Sequence, residues 1–128
     1  MTSVIVAFTM FKALKKTLLM CEVALRKGDY KKVFYELSQE RVEEHYLKEG
    51  YIREFQAMNK ILAQFVYYLS LIGNHTAVAN NLKTKGRQFK GQEKQERKKA
   101  IENIAYLKNI LEQLEGEIRR LMKESKKN

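Results

Sequence analysis

Eight cations stand within seventeen residues in the stretch KTKGRQFKGQEKQERKK. They are Lys83, Lys85, Arg87, Lys90, Lys94, Arg97, Lys98 and Lys99. Ammonium and guanidinium groups at this density neutralise phosphates and release their counterions. Phe89 is the lone aromatic among them, and its ring offers a face for an unpaired base. Gln88, Gln92 and Gln95 add neutral donors for phosphate or base edges. Only Glu93 and Glu96 oppose the eight cations, so the segment carries +6 of the chain's net +10. Localised charge of this kind is what a polyanion site requires. No RRM, KH, zinc-finger or homeodomain signature accompanies it, so the expected contact is to backbone rather than base sequence. The bland alternative is a solvated loop that runs into the charged start of a helix.

Two further basic groups extend the possibility. Arg119, Arg120 and Lys123, with Lys126 and Lys127, lie near the C-terminus. Cations there also suit the negative end of a helix dipole. Lys12, Lys15 and Lys16 fall on the polar side of the first predicted helix. Two of the three groups on one face would strengthen the binding reading.

Other chemistry finds little support. The acidic residues Glu36, Glu40, Glu43, Glu44 and Glu49 surround His45, but a di-metal helix pair needs Glu-x-x-His and position 42 is Val42. Solvated i,i+4 ion pairs such as Glu44 with Lys48 account for this run. Asn74-His75-Thr76 matches a glycosylation sequon, but with no secretory signal Thr76 reads better as a helix N-cap. No nucleophile–base pair, glycine-rich phosphate loop, CxxC or HExxH is present, so no enzyme activity, metal or cofactor is expected. Cys21 is the only cysteine, which excludes an internal disulfide and predicts a buried thiol in a reducing, cytoplasmic setting.

The elements that position these groups are helices. The 128 residues are 45% apolar, contain no proline and only six glycines, and read as one domain spanning 1–128. Val4, Ala7, Phe11, Leu14, Leu18, Cys21 and Leu25 alternate in steps of three and four, one face of a helix near 3–27, widened by Phe8, Leu19 and Met20. The apolar run at 4–11 has its lysines after it and is too short to span a bilayer, so no membrane association is expected. Gly28 follows Arg26-Lys27 as a left-handed exit, and Asp29 is placed to cap the next helix.

Tyr30, Phe34 and Leu37 open a second helix near 30–49. Tyr51, Phe55, Met58, Leu62, Phe65, Leu69 and Ile72 stripe a third near 51–72. The phase runs unbroken across Gly50, so a tight turn and one long helix both fit; the turn is preferred because globular helices are short. Residues 74–91 are expected to form a weakly apolar turn and a basic loop. A last helix near 92–125 carries Ala100, Ile104, Leu107, Leu111, Leu114, Ile118 and Leu121 in heptad steps. Ile101, Ile110 and Met122 widen that stripe beyond a two-stranded seam.

The expected architecture is an all-α, mainly antiparallel four-helix bundle with a long heptad-patterned last helix. The expected function is a small basic nucleic-acid-binding or ribonucleoprotein-assembly subunit. It would act through residues 83–99 with help from Arg119, Arg120 and Lys123. The alternative is a helical adaptor or oligomeric scaffold that presents Ile104, Leu107, Leu111, Leu114, Ile118 and Leu121 to a protein partner or a second copy.

Overall fold

The computed structural model describes residues 2–39 and 56–127, with the side chains of 11–39, 64, 67–120 and 123. Among the described residues the chain is all-α: α1 is Thr2–Lys27, α2 Tyr30–Ser38, α3 Gln56–Lys85 and α4 Lys90–Lys127. One turn of 3-10 helix, Arg87–Phe89, joins α3 to α4. Gly50, Tyr51, Phe55 and the acidic run from Glu40 to Glu49 lie outside the described residues. No helix among the described residues is long and apolar enough to cross a membrane.

The α1 stripe is buried at Phe11, Leu14, Leu18, Cys21 and Leu25. Leu19, expected to widen that face, is instead half exposed; Ala24 and Thr17 fill the flank of the face. The exit from α1 follows from its glycine. Gly28 adopts φ +73, and two reverse hydrogen bonds close the helix: Gly28 N–H to Leu25 O at 3.0 Å and Asp29 N–H to Ala24 O at 2.9 Å. This pair is the Schellman arrangement, which satisfies carbonyls that the helix end leaves unpaired. The Asp29 carboxylate then accepts from Lys32 N–H at 3.3 Å and starts α2.

The largest departure from expectation is in α3. The expected end at Gly73-Asn74 does not occur; the helix passes through both and continues to Lys85. Residues 74–85 are therefore helical, and the link to α4 shrinks to Gly86 and the 3-10 turn. Thr76 is not an N-cap. It is buried within α3, and its hydroxyl donates to the Ile72 carbonyl at 2.6 Å. Leu69, Ile72, Thr76 and Ala79 are spaced three, four and three, so the inward phase persists past Gly73. Thr and Ala hide it because neither marks a sequence as apolar core. A mid-helix glycine costs only about 1 kcal/mol, which packing on both sides of Gly73 offsets.

Helix α4 starts at Lys90, two residues before its expected start. Ala100, Ile104, Leu107, Leu111, Leu114 and Ile118 are all fully buried in one core with the α1 stripe, Tyr30, Val33, Ile72 and Ala79. Ile101 and Ile110 pack against this core from its edge. Each fully buried Leu or Ile contributes about 1.5–3 kcal/mol over an exposed one. Helix α4 contacts both α1 and α3, and α2 contacts both α1 and α3. Ion pairs register α1 on α4: Lys15 Nζ with Glu115 Oε2 at 2.9 Å, and Lys108 Nζ with Glu22 Oε2 at 3.4 Å. Between α3 and α4, Tyr68 stacks on Tyr106 at 5.6 Å, and His75 Nδ1 lies 2.7 Å from Glu96 Oε2.

Candidate nucleic-acid interface

The two turns closed by glycine, at Gly28 and at Gly86, meet at one end of the molecule. Between them is a cleft of about 410 Å³ lined by Lys27, Gly28, Lys83, Gly86, Arg87, Lys90, Glu93 and Arg97. Each residue arrives for a local reason. Lys27 is the last residue of α1, and Lys83 lies in the last turn of α3. Gly86 takes φ +122, which only glycine adopts without strain, and aims the chain into the 3-10 turn that carries Arg87. Lys90, Glu93 and Arg97 follow one another on successive turns of α4.

Several of these groups are held in place. Lys83 Nζ donates to Gly28 O at 2.9 Å and lies 5.5 Å from the centroid of the Tyr30 ring. Tyr30 is buried, and its hydroxyl donates to Glu93 Oε1 at 3.2 Å. Burial pushes the Tyr30 phenol above its ordinary pKa, against the lowering field of Arg97 and with the Glu93 carboxylate adding to the rise. The phenol therefore stays a donor at neutral pH. Arg97 approaches Glu93 Oε2 at 3.8 Å. The Nε of Arg97 is enclosed and has no hydrogen-bond partner.

Five cations thus face one carboxylate. Of the residues singled out in the sequence, Lys83, Arg87, Lys90 and Arg97 line the cleft. Lys94 and Lys98 are exposed on the next turns of α4, and Lys85 is exposed at the end of α3. Lys99 is also exposed but engages Glu96 Oε1 at 3.4 Å. Phe89 is half-buried in the turn, so only part of its ring faces solvent.

Arg119, Arg120 and Lys123 are not part of this cleft. Arg119 follows Arg97 by 22 residues, about 33 Å along a straight helix. Arg120 pairs with Glu117 Oε2 at 2.8 Å. The Lys15–Glu115 bridge instead brings Lys15 to a residue one helical turn from Arg119. The second and third basic groups therefore share the opposite end of α4 from the cleft. The seam residues Ile104, Leu107, Leu111, Leu114 and Ile118 face the chain's own core and have no exposed area to offer a second chain; Leu121 lies outside the described side chains.

Sequence reasoning missed Lys27, Tyr30 and Glu93 as parts of the site. A signal existed. In an up-and-down bundle the first and third connections fall at the same end. The turn at Gly28 was legible, so the cation preceding it belonged with those at the third connection.

No family model matches the chain, and no curated protein or solved structure matches it either.

Proposed function

We propose that the chain is a small basic nucleic-acid-binding or ribonucleoprotein-assembly subunit, built as a mainly antiparallel four-helix bundle, that grips phosphate backbone at one end. The pairings Tyr68 with Tyr106 and His75 with Glu96, and Lys15 with Glu115 and Glu22 with Lys108, support the antiparallel arrangement. In both sets residue numbers rise on one helix as they fall on α4. The observation that carries the functional reading is the convergence of Lys27, Lys83, Arg87, Lys90 and Arg97 on one cleft. These side chains arrive from three helices and a turn, so tertiary folding gathers the charge as well as local sequence. Lys94 and Lys98 continue the cationic row along α4 and give a strand a track out of the cleft. The cationic lining of Lys and Arg suits phosphate oxygens, the contacts that position a strand.

An electrophoretic shift with single-stranded RNA and with duplex DNA, at two salt concentrations, tests this. Neutralising five phosphates predicts a log–log salt slope of about −3.5 to −4.5. Absence of any shift at low salt overturns the proposal.

A second reading, a protein-interaction adaptor, rests on Tyr67 and Tyr106. Both are more than half exposed and are linked through the ring of Tyr68. An adaptor would use this aromatic face, because Ile101 and Ile110 pack against the core and the seam between them is buried. Tyr106→Ser separates the readings: it weakens self-association or partner capture in an adaptor and leaves the salt-dependent shift intact in a nucleic-acid binder.

A further inference from the structure

The cleft is open to solvent and gathers five cations around one carboxylate. Its cations come from separate elements: Lys27 from α1, Lys83 from α3, Arg87 from the turn, and Lys90 and Arg97 from α4. Lys83 is anchored at Gly28 O and over Tyr30, and contacts from Tyr30 to Glu93 and from Glu93 to Arg97 continue the same chain. Anchored cations lose little side-chain entropy when an anion arrives.

Charge and size narrow the ligand. Glu93 offsets one of the five cations and leaves an excess of four. An internal phosphodiester brings one negative charge and two free oxygens. A terminal phosphate monoester brings about −1.5 to −2 and three acceptor oxygens. A space of about 410 Å³ falls within the roughly 300–1,000 Å³ of small-ligand pockets, so it has room for a terminal phosphate and its sugar.

Resting on the function proposed above, we infer that the cleft binds a terminal phosphate monoester, the phosphorylated end of a nucleic-acid strand. Lys83, Arg87, Lys90 and Arg97 contact the end group, and the following phosphates run out along Lys94 and Lys98. The same monoester chemistry occurs on a free nucleotide, and the test separates the two sources.

Fluorescence anisotropy is measured for one single-stranded RNA with a 5′-phosphate, a 3′-phosphate or hydroxyl ends, at a single salt concentration. One phosphorylated end binds at least about tenfold more tightly than the hydroxyl-ended strand. Arg97→Gln and Lys83→Met erase most of that preference. Arg87→Gln, at an exposed position, does the same if either of those variants melts below the assay temperature. Lys31→Gln, an equal loss of charge on α2 outside the cleft, keeps the preference. Equal binding of all three strands overturns the end-group inference and leaves backbone binding standing. No binding of any strand overturns the proposed function itself. Nucleoside monophosphate that competes as strongly per molecule as the phosphorylated strand overturns the strand-end assignment in favour of a free nucleotide.

Discussion

Lys83 Nζ donates a hydrogen bond to the Gly28 carbonyl at 2.9 Å, which ties the last turn of α3 to the turn that closes α1. The two residues are 55 positions apart in the chain. One cation thereby stabilises a helix exit and stands in the wall of the candidate site. Lys83→Met keeps an unbranched side chain but loses the donor and the charge over the Tyr30 ring. The expected cost is about 0.5–1.5 kcal/mol in urea unfolding, the net worth of one hydrogen bond. Unchanged stability would show that the tie is not formed in solution.

Gly28 and Gly116 respond oppositely to alanine. Gly28 needs its left-handed φ of +73, and an added Cβ meets only Lys83 Nζ at 3.8 Å, an ordinary contact. The penalty is therefore conformational, about 1–2 kcal/mol. Gly116 is helical and exposed within α4, with nothing within 4 Å of an added Cβ. Gly116→Ala stabilises by about 1 kcal/mol. Thermal unfolding of the two variants checks both signs at once, and a matching sign contradicts the assignment of either backbone.

The His75–Glu96 bond predicts how stability responds to acid. His75 donates to Glu96, the larger influence, and Lys99 adds to it, so the carboxyl titrates below its ordinary 4.5 despite opposing desolvation. A depressed carboxylate contributes stability that is fully present above the ordinary value and is lost as pH falls through the lower folded value. The stability difference between the wild-type chain and Glu96→Gln should shrink as pH falls below the ordinary 4.5. Urea midpoints between pH 7 and pH 3 test this, and a difference that does not change with pH rules out the linkage.

Charge reversal distinguishes the two ends of α4. Lys90→Glu with Lys94→Glu reverses cations in and beside the cleft at exposed positions. This pair should weaken nucleic-acid binding by well over tenfold, where tenfold is about 1.4 kcal/mol. Arg119→Glu with Lys123→Glu makes the same charge change about 44 Å further along α4 and should weaken binding by less than tenfold. Equal effects from the two pairs would mean that net charge, rather than the cleft, governs binding.

Much of the local structure was legible in the residues. The three-four spacing of Phe11, Leu14, Leu18, Cys21 and Leu25, and of Ala100 through Ile118, marked faces that are fully buried. Gly28 and Asp29 marked the exit and cap between α1 and α2 because each has a backbone requirement that few other residues meet. The reach of α3 was not legible. Its buried face past Ile72 is Thr76 and Ala79, whose small side chains leave no apolar signature but still pack.

The sequence by itself determined that the chain is helical, where α1 ends, and that its charge is concentrated between residues 83 and 99. Helix propensity, capping and periodicity act over a few residues, so they can be read from a few residues. Only the tertiary structure decided which cations meet. It divided the basic run among the end of α3, a turn and the exposed face of α4, and set Arg119 and Arg120 at the far end of that helix. It also brought Lys27 and Glu93 into the same cleft, with Tyr30 buried behind Glu93. That grouping depends on the packing of α1 against α4 and of α3 against α4, through contacts between residues tens of positions apart, which no local pattern of spacing encodes.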